Sequence, residues 1–325
     1  MSELVFSVLA ALVACALVGL YVRALSVSSR FDLPNQRSMH TVAVPSGAGV
    51  AIVVVVLVLW PVSQSLALER IHVLLLVAFA GLAALSWVDD HHRLTPLVRL
   101  AAHALAVALL LGALAPDQRV LPALPLFMER VAMGIAWVWF INLFNFMDGI
   151  DGLAGSEAVA IAVGYCLIVA VAGLDTPLAQ LALIAAGACA GYLVWNWHPA
   201  KVFMGDAGSI PLGFLLGWLM IELALSGHWA AALILPLYFG ADATLTLIRR
   251  LQRGEKPWQP HREHVYQRAV LGGAKPPAVV WRVNAANALL VILAVLSTRF
   301  PAWSLVAAVA VVGGLLMHLE RLARG

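Results

Sequence analysis

The chain has 325 residues, 62% of them hydrophobic and 11% charged, with a mean hydropathy of +0.93, whereas soluble domains run about 45–50% apolar and about 25% charged. These proportions exclude a soluble globular protein and describe an integral membrane protein. The net charge of +3 decides little by itself. The three cysteines, Cys15, Cys166 and Cys189, lie in apolar runs without CxxC spacing, against a disulfide framework or a metal knuckle.

Runs of about 20 apolar residues fall near 4–24, 46–66, 70–88, 96–115, 129–147, 152–173, 177–198, 208–226, 229–251, 277–298 and 302–319. Hydrocarbon offers no water to backbone groups, so runs of this length must be helices, and they are too long for the alternating segments of a barrel. The expected fold class is all-α and polytopic, with about eleven transmembrane helices. The first run lacks a basic segment before it and is read as a retained helix; a cleaved chain would still hold ten. Sixteen Lys and Arg residues fall in the loops and flanks on one side, against Arg70, Arg119, Arg130 and Arg299 on the other. This bias places the N-terminus outside and the C-terminus in the cytoplasm. No repeat, low-complexity tract or composition shift marks a second domain, so residues 1–325 are expected to form one transmembrane unit, with 252–276 a cytoplasmic loop within it.

The loops assigned inside carry the dense polar groups. Asp89 and Asp90 end the third run in WVDDHHR. Adjacent carboxylates read either as solvated interfacial residues or as a pair whose repulsion a divalent cation or a shared proton relieves. In NLFNFMDGIDGLAG, Asn142, Asn145, Asp148 and Asp151 recur every three residues and are expected to line one polar edge, with Gly149 and Gly152 letting a ligand approach the backbone. Polar groups at this depth mark a functional site by default, although a polar seam between helices is the plainer alternative. In VFMGDAGSIPLG, Asp206 lies between glycines and Ser209 reads as the N-cap of the next run. Four or five carboxylates meeting in a membrane protein need neutralising, and such oxygen ligands suit Mg²⁺ or Mn²⁺, completed by substrate phosphates. The segment KPWQPHREHVYQRAVLGGAK groups His261, Arg262 and His264, which read either as topology signal or as a clamp on phosphate oxygens.

In this order and spacing, DLPNQRSMHTVAVPSGAG, VDDHHRLTPLVRLAAH, NLFNFMDGIDGLAG, NWHPAKVFMGDAGSIPLGF and the histidine-containing loop resemble the polyprenyl-phosphate N-acetylhexosamine-1-phosphate transferases, glycosyltransferase family 4, over nearly the whole chain. The resemblance implies that undecaprenyl phosphate attacks the β-phosphate of a UDP-amino sugar, yielding UMP and a lipid-linked diphospho-sugar with Mg²⁺ (or Mn²⁺), at the inner face of a bacterial plasma membrane. By position it implies catalytic roles for Asp89, Asp90, Asp148 and His264, and metal ligation by Asp206 and Asp90. It implies substrate contacts from Arg37, His40, Arg99, Asn145, Asp151, Asn196, Phe203, His261 and Arg262. Arg99 stands where relatives often have lysine. Many relatives carry HxHH in the late loop, whereas His264 is followed by Val265, Tyr266 and Gln267. That departure resembles the subgroup initiating O-antigen or another surface polysaccharide. No nucleic-acid partner is expected, and a homodimer is admitted because relatives include dimers. The rival from another class is a multi-span transporter of an anionic or phosphorylated solute, which would hold its charges near the midplane and open to both faces.

Overall fold

The computed structural model describes residues 3–25, 31–32, 43–92, 94–256, 259 and 261–324. The helices are α1 (Glu3–Leu25), α2 (Gly49–Ser63), α3 (Arg70–His92), α4 (Pro96–Ala113), α5 (Leu126–Phe146), α6 (Leu153–Ala172), α7 (Leu178–Asn196), α8 (Asp206–Leu225), α9 (Trp229–Ile234), α10 (Leu237–Gln252), α11 (Val265–Leu271), α12 (Pro276–Leu296) and α13 (Pro301–Leu322). Two-residue strands β1 (Phe31–Asp32) and β2 (Val44–Pro45) pair antiparallel between α1 and α2. Among the described residues nine helices are long and apolar enough to cross a membrane, and α2 is a shorter apolar helix. The fold is all-α and polytopic.

Ten of the eleven apolar runs are single helices. The run at 229–251 is not: it divides into α9 and α10 around Pro236. Proline has no N–H to give the helix and its ring crowds the carbonyl four residues back, so hydropathy reads through a break that the backbone cannot. Three other helices place proline where it costs nothing, in the first turn: Pro96, Pro276 and Pro301.

Helix α8 is the axis of the bundle. Of its most apolar 18-residue stretch 83% is buried, the highest share of any candidate span among the described residues, because α2, α3, α5, α6 and α9 all pack on it. Helices α1, α4, α5 and α13 instead turn leucine, valine and phenylalanine outward, as lipid-facing helices do. Helix α7 meets α1 through Gly187 and Gly191. A Cβ at either would lie 2.1 Å from a backbone oxygen of α1, that of Ser7 or Ala11. Glycines four apart let two backbones touch, the close packing that holds helices together where no hydrophobic effect acts between them.

The start of α2 is stitched to the start of α8. Phe203 N–H donates to Pro45 O (2.8 Å), Gly47 and Ala48 N–H donate to Phe203 O (3.1 Å each), and Gly49 N–H donates to Met204 O (2.9 Å). Gly49 and Gly208 touch there: a Cβ on Gly49 would lie 2.4 Å from the Gly208 Cα. This contact fixes where Asp206 begins its helix.

Candidate active site

The ends of α3, α5 and α7 and the beginnings of α4, α6 and α8 converge, and each brings a polar side chain. Asp89 is buried in the last turn of α3, where Leu94 N–H donates to its Oδ1 (2.6 Å) and Arg99 of α4 lies 3.2 Å from its Oδ2. The same Arg99 nitrogen lies 3.8 Å from Asp206 Oδ2. One guanidinium therefore spans two carboxylates that are 117 residues apart in sequence (206 − 89). Asp90, exposed where Asp89 is buried, accepts from the Ala207 N–H and sits within the field of Asp206. Asp148 is half-buried in the turn after α5; burial first, then Asp206 and Asp151, push its carboxyl up to about 7. Asp89, Asp90, Asp148 and Asp206 thus form one acidic rim with Arg99 set into it.

The residues around the rim hold it in shape. Ser209 Oγ donates to Asn145 Oδ1 (2.7 Å), tying α8 to α5. Buried Asn196 accepts from Gly152 N–H and donates to Val202 O, 2.9 Å each, so both ends of its amide are spent on backbone. Asp151 Oδ2 accepts from Ala200 N–H (3.0 Å) and lies 2.7 Å from His198 Nδ1. Phe203 carries the bridge to Ser46.

Two local expectations are corrected. Ser209 is not an N-cap: α8 starts three residues earlier at Asp206, capped by Gly205, whose φ of +73° suits a residue without Cβ. The three-residue ladder is not one helical edge either. Helix α5 stops at Phe146, leaving Asn142 and Asn145 on it and Asp148 and Asp151 in the following turn, where Asn142 donates back to Val138 O (2.7 Å). Arg37 and His40 lie outside the described residues.

The late loop reaches the rim through a residue other than histidine. Tyr266, fully buried, donates from its hydroxyl to Phe146 O (3.3 Å) and sits against Gly149, whose missing Cβ makes the room. His264 is buried, stacked on Tyr266 at 5.8 Å between ring centroids, and its Nδ1 lies 3.6 Å from Asp242. His261 packs beside it at 4.8 Å; burial, His264 and Arg250 hold its pKa down to about 4. Arg262, between them in sequence, is half-buried. Sequence reasoning missed Asp242 and His198. Asp242 was visible as an acid inside the 229–251 run, the same signal that flags Asp148. His198 carries no such mark.

Among the described residues no three His, Cys, Asp or Glu side chains are grouped as a metal cage. The donors at the rim are instead two neighbouring carboxylates, Asp90 and Asp206, an incomplete oxygen set of the kind Mg²⁺ accepts when water and substrate phosphate supply the rest.

Residues 72–224, from α3 to the end of α8, match the model of glycosyl transferase family 4 and so contain the whole acidic rim. A Bacillus subtilis protein, "Probable undecaprenyl-phosphate N-acetylglucosaminyl 1-phosphate transferase", is 26% identical over 254 residues, covering 74% of this chain and 70% of its own length. A Mycolicibacterium smegmatis "Decaprenyl-phosphate N-acetylglucosaminephosphotransferase" is 32% identical over 40% of this chain and 38% of its own. A Moorella thermoacetica "Phospho-N-acetylmuramoyl-pentapeptide-transferase" is 39% identical over 34% of this chain and 33% of its own. The fold is that of a multi-pass membrane protein, and these relatives indicate a phospho-glycosyl transferase. The match over α3 to α8 and the undecaprenyl- and decaprenyl-phosphate relatives together support the polyprenyl-phosphate N-acetylhexosamine-1-phosphate transferase family.

Proposed function

We propose that the chain transfers an N-acetylamino-sugar 1-phosphate from a UDP-sugar to undecaprenyl phosphate at the cytoplasmic face of a bacterial inner membrane, starting O-antigen or another surface polysaccharide. An oxygen of the lipid phosphate bonds to the sugar-bearing phosphorus of the donor. The bond from that phosphorus to the bridging oxygen breaks, and UMP leaves with the electron pair. The observation that carries this reading is the bridge from Asp89 through Arg99 to Asp206, with Asp90 and Asp148 beside it. Phosphoryl transfer asks a protein mainly for alignment and charge neutralisation, and this rim offers both signs of charge within one site.

Asp90 and Asp206 would hold Mg²⁺, with Mn²⁺ as a substitute, and the ion would neutralise charge on the diphosphate. Arg99, half-exposed between the acids, faces the incoming lipid phosphate, and Asp89 fixes it there because both Asp89 oxygens are engaged. Asn145, Asp151, Asn196 and Phe203 shape the nucleotide side, and His261 and Arg262 donate to phosphate oxygens beside His264. The excess of Lys and Arg around these loops supports the cytoplasmic placement.

The test is release of UMP by purified protein given undecaprenyl phosphate, Mg²⁺ and, in turn, UDP-GlcNAc, UDP-GalNAc and their 6-deoxy relatives. One donor is expected to give release that EDTA abolishes and Mg²⁺ restores. Release undiminished by EDTA overturns the metal assignment, and none with any UDP-amino sugar overturns the donor class.

A further inference from the structure

We propose that Asp242 is a positioning residue of the transferase site: from α10 it holds the His264 imidazole and the first turn of α11 in place over the rim. The proposal rests on the transferase reading above for what the loop does, and on geometry for how it is held.

Asp242 is fully buried. A carboxylate deprived of water must recover its solvation from protein donors, and here they come from two helices, α10 and α11. Val265 N–H donates to Oδ1 (2.8 Å) and Tyr266 N–H to Oδ2 (3.2 Å); within α10, Thr246 and Tyr238 hydroxyls donate at 3.3 and 3.4 Å. The two amides belong to the first turn of α11, whose N–H groups have no partner inside that helix. Asp242 thus caps α11 from another helix, beside the local contribution of Gln267, whose Oε1 accepts from the His264 N–H (3.3 Å).

The second half of the argument is His264. Its Nδ1 is buried, lacks a hydrogen-bond partner and lies 3.6 Å from Asp242 Oδ1. A carboxylate behind one imidazole nitrogen selects the tautomer with its proton there and turns the other nitrogen outward as an acceptor, which fixes both ring orientation and role. The adjoining Tyr266 stacks on the same ring and reaches Phe146 O at the foot of the acidic turn. Asp242 therefore links the histidine, the tyrosine and the turn that bears Asp148.

The experiment compares full-length protein with Asp242→Asn, His264→Ala and the double variant, in detergent micelles. Amide exchange over 261–271 is expected to quicken about tenfold in Asp242→Asn, with α8 unchanged. Turnover per folded molecule is expected to fall about tenfold with KM for the UDP-sugar nearly unchanged, and the double variant to be no slower than His264→Ala. A role confined to stability would lower the melting temperature and leave turnover per folded molecule intact. Unchanged exchange overturns the anchor; quicker exchange with undiminished turnover, or additive losses in the double variant, overturns the positioning role. If Asp242→Asn does not fold, Thr246→Val removes one donor to the same carboxylate and must show the same pattern in milder form. Should the unmodified protein transfer nothing from any UDP-sugar, the transferase reading falls while the exchange result still decides the anchor.

Discussion

Helix α5 carries an arginine–carboxylate centre at each end, and the two are built on opposite principles. At its start, buried Glu129 is saturated: Arg119 Nε donates to Oε2, Val120 and Leu121 N–H donate to Oε1 at 2.6 and 3.1 Å, and Arg119 also donates to Leu124 O (2.5 Å). The helix has 21 residues, so its other end lies about 30 Å away. There four acids gather about one shared arginine: Asp89 and Asp206 both pair with Arg99, and Asp90 and Asp148 add further charge. An acid supplied with every donor it needs belongs to the scaffold. Acids crowded close enough to raise one another's proton affinity are the ones a ligand's positive charge would relieve.

The largest expected effect breaks the comparison by removing one acid from each end. Asp206→Ala is expected to lower UMP release by about 10³-fold or more with the melting temperature nearly unchanged, since Arg99 keeps its Asp89 partner and the deleted carboxylate also repels Asp148 in the folded protein. Glu129→Ala is expected to do the reverse. It strands the partly buried Arg119 and should cost about 3–5 kcal/mol of stability while turnover per folded molecule persists. Thermal unfolding and UMP release on the same samples check both.

Replacing each arginine by lysine sharpens the same contrast. Arg119 uses two different nitrogens, one on Glu129 and one on Leu124 O, and a single ammonium cannot reproduce that fork. Arg119→Lys should therefore destabilise by about 1–3 kcal/mol. The Arg99 contacts to both acids run through one nitrogen, Nη1, which an ammonium can replace. Arg99→Lys is expected to retain turnover within about tenfold, and Arg99→Ala to lose well over that.

The rim should also be visible in the pH dependence of the metal-free protein. The Asp148 carboxyl rises from its ordinary 3.8 to about 7, so between those values the folded chain keeps a proton that the unfolded chain has released, and stability falls as pH rises. His261 moves the other way, from 6.5 down to about 4, so the unfolded chain holds the extra proton and stability rises with pH across that window. The two trends oppose each other in the intact protein. Asp148→Asn should expose a rising trend between pH 4 and 6.5 and His261→Gln a falling one up to about pH 7, each at most about 1.4 kcal/mol per pH unit before solvent screening. Identical pH profiles for both variants would contradict the assignment.

What could be read in the sequence follows the strength of the physics behind each element. The helices were legible because hydrocarbon leaves so few options, and the rim because Asp89, Asp90, Asp148 and Asp206 are each conspicuous in apolar company. The break at Pro236 was hidden because a hydropathy window averages over a single residue. The GACAG at 187–191 was readable as a small-residue packing motif and was passed over beside the acids. Asp242 escaped because one acid in a long run, with its partners 22 to 24 residues downstream, offers no spacing to read (264 − 242 and 266 − 242).

The smallest effect concerns the seam between loop and rim. A methyl group at Gly149 would sit 2.1 Å from Tyr266 Oη and 3.1 Å from its Cζ. The ring cannot swing aside, because it is fully buried and stacked on His264. Gly149→Ala should thus push α11 outward and lower turnover several-fold. Tyr266→Phe alone gives up only the 3.3 Å hydrogen bond to Phe146 O, worth about 1 kcal/mol. In the double variant the clashing oxygen is gone, and the two remaining 3.1 Å contacts, to the ring Cζ and to Gln267 Nε2, need only a few tenths of an ångström of adjustment. Gly149→Ala/Tyr266→Phe is therefore expected to be faster than Gly149→Ala. If the second substitution slowed the enzyme further, the glycine would be serving the ligand directly, as its place in the acidic turn first suggested, rather than making room for the tyrosine.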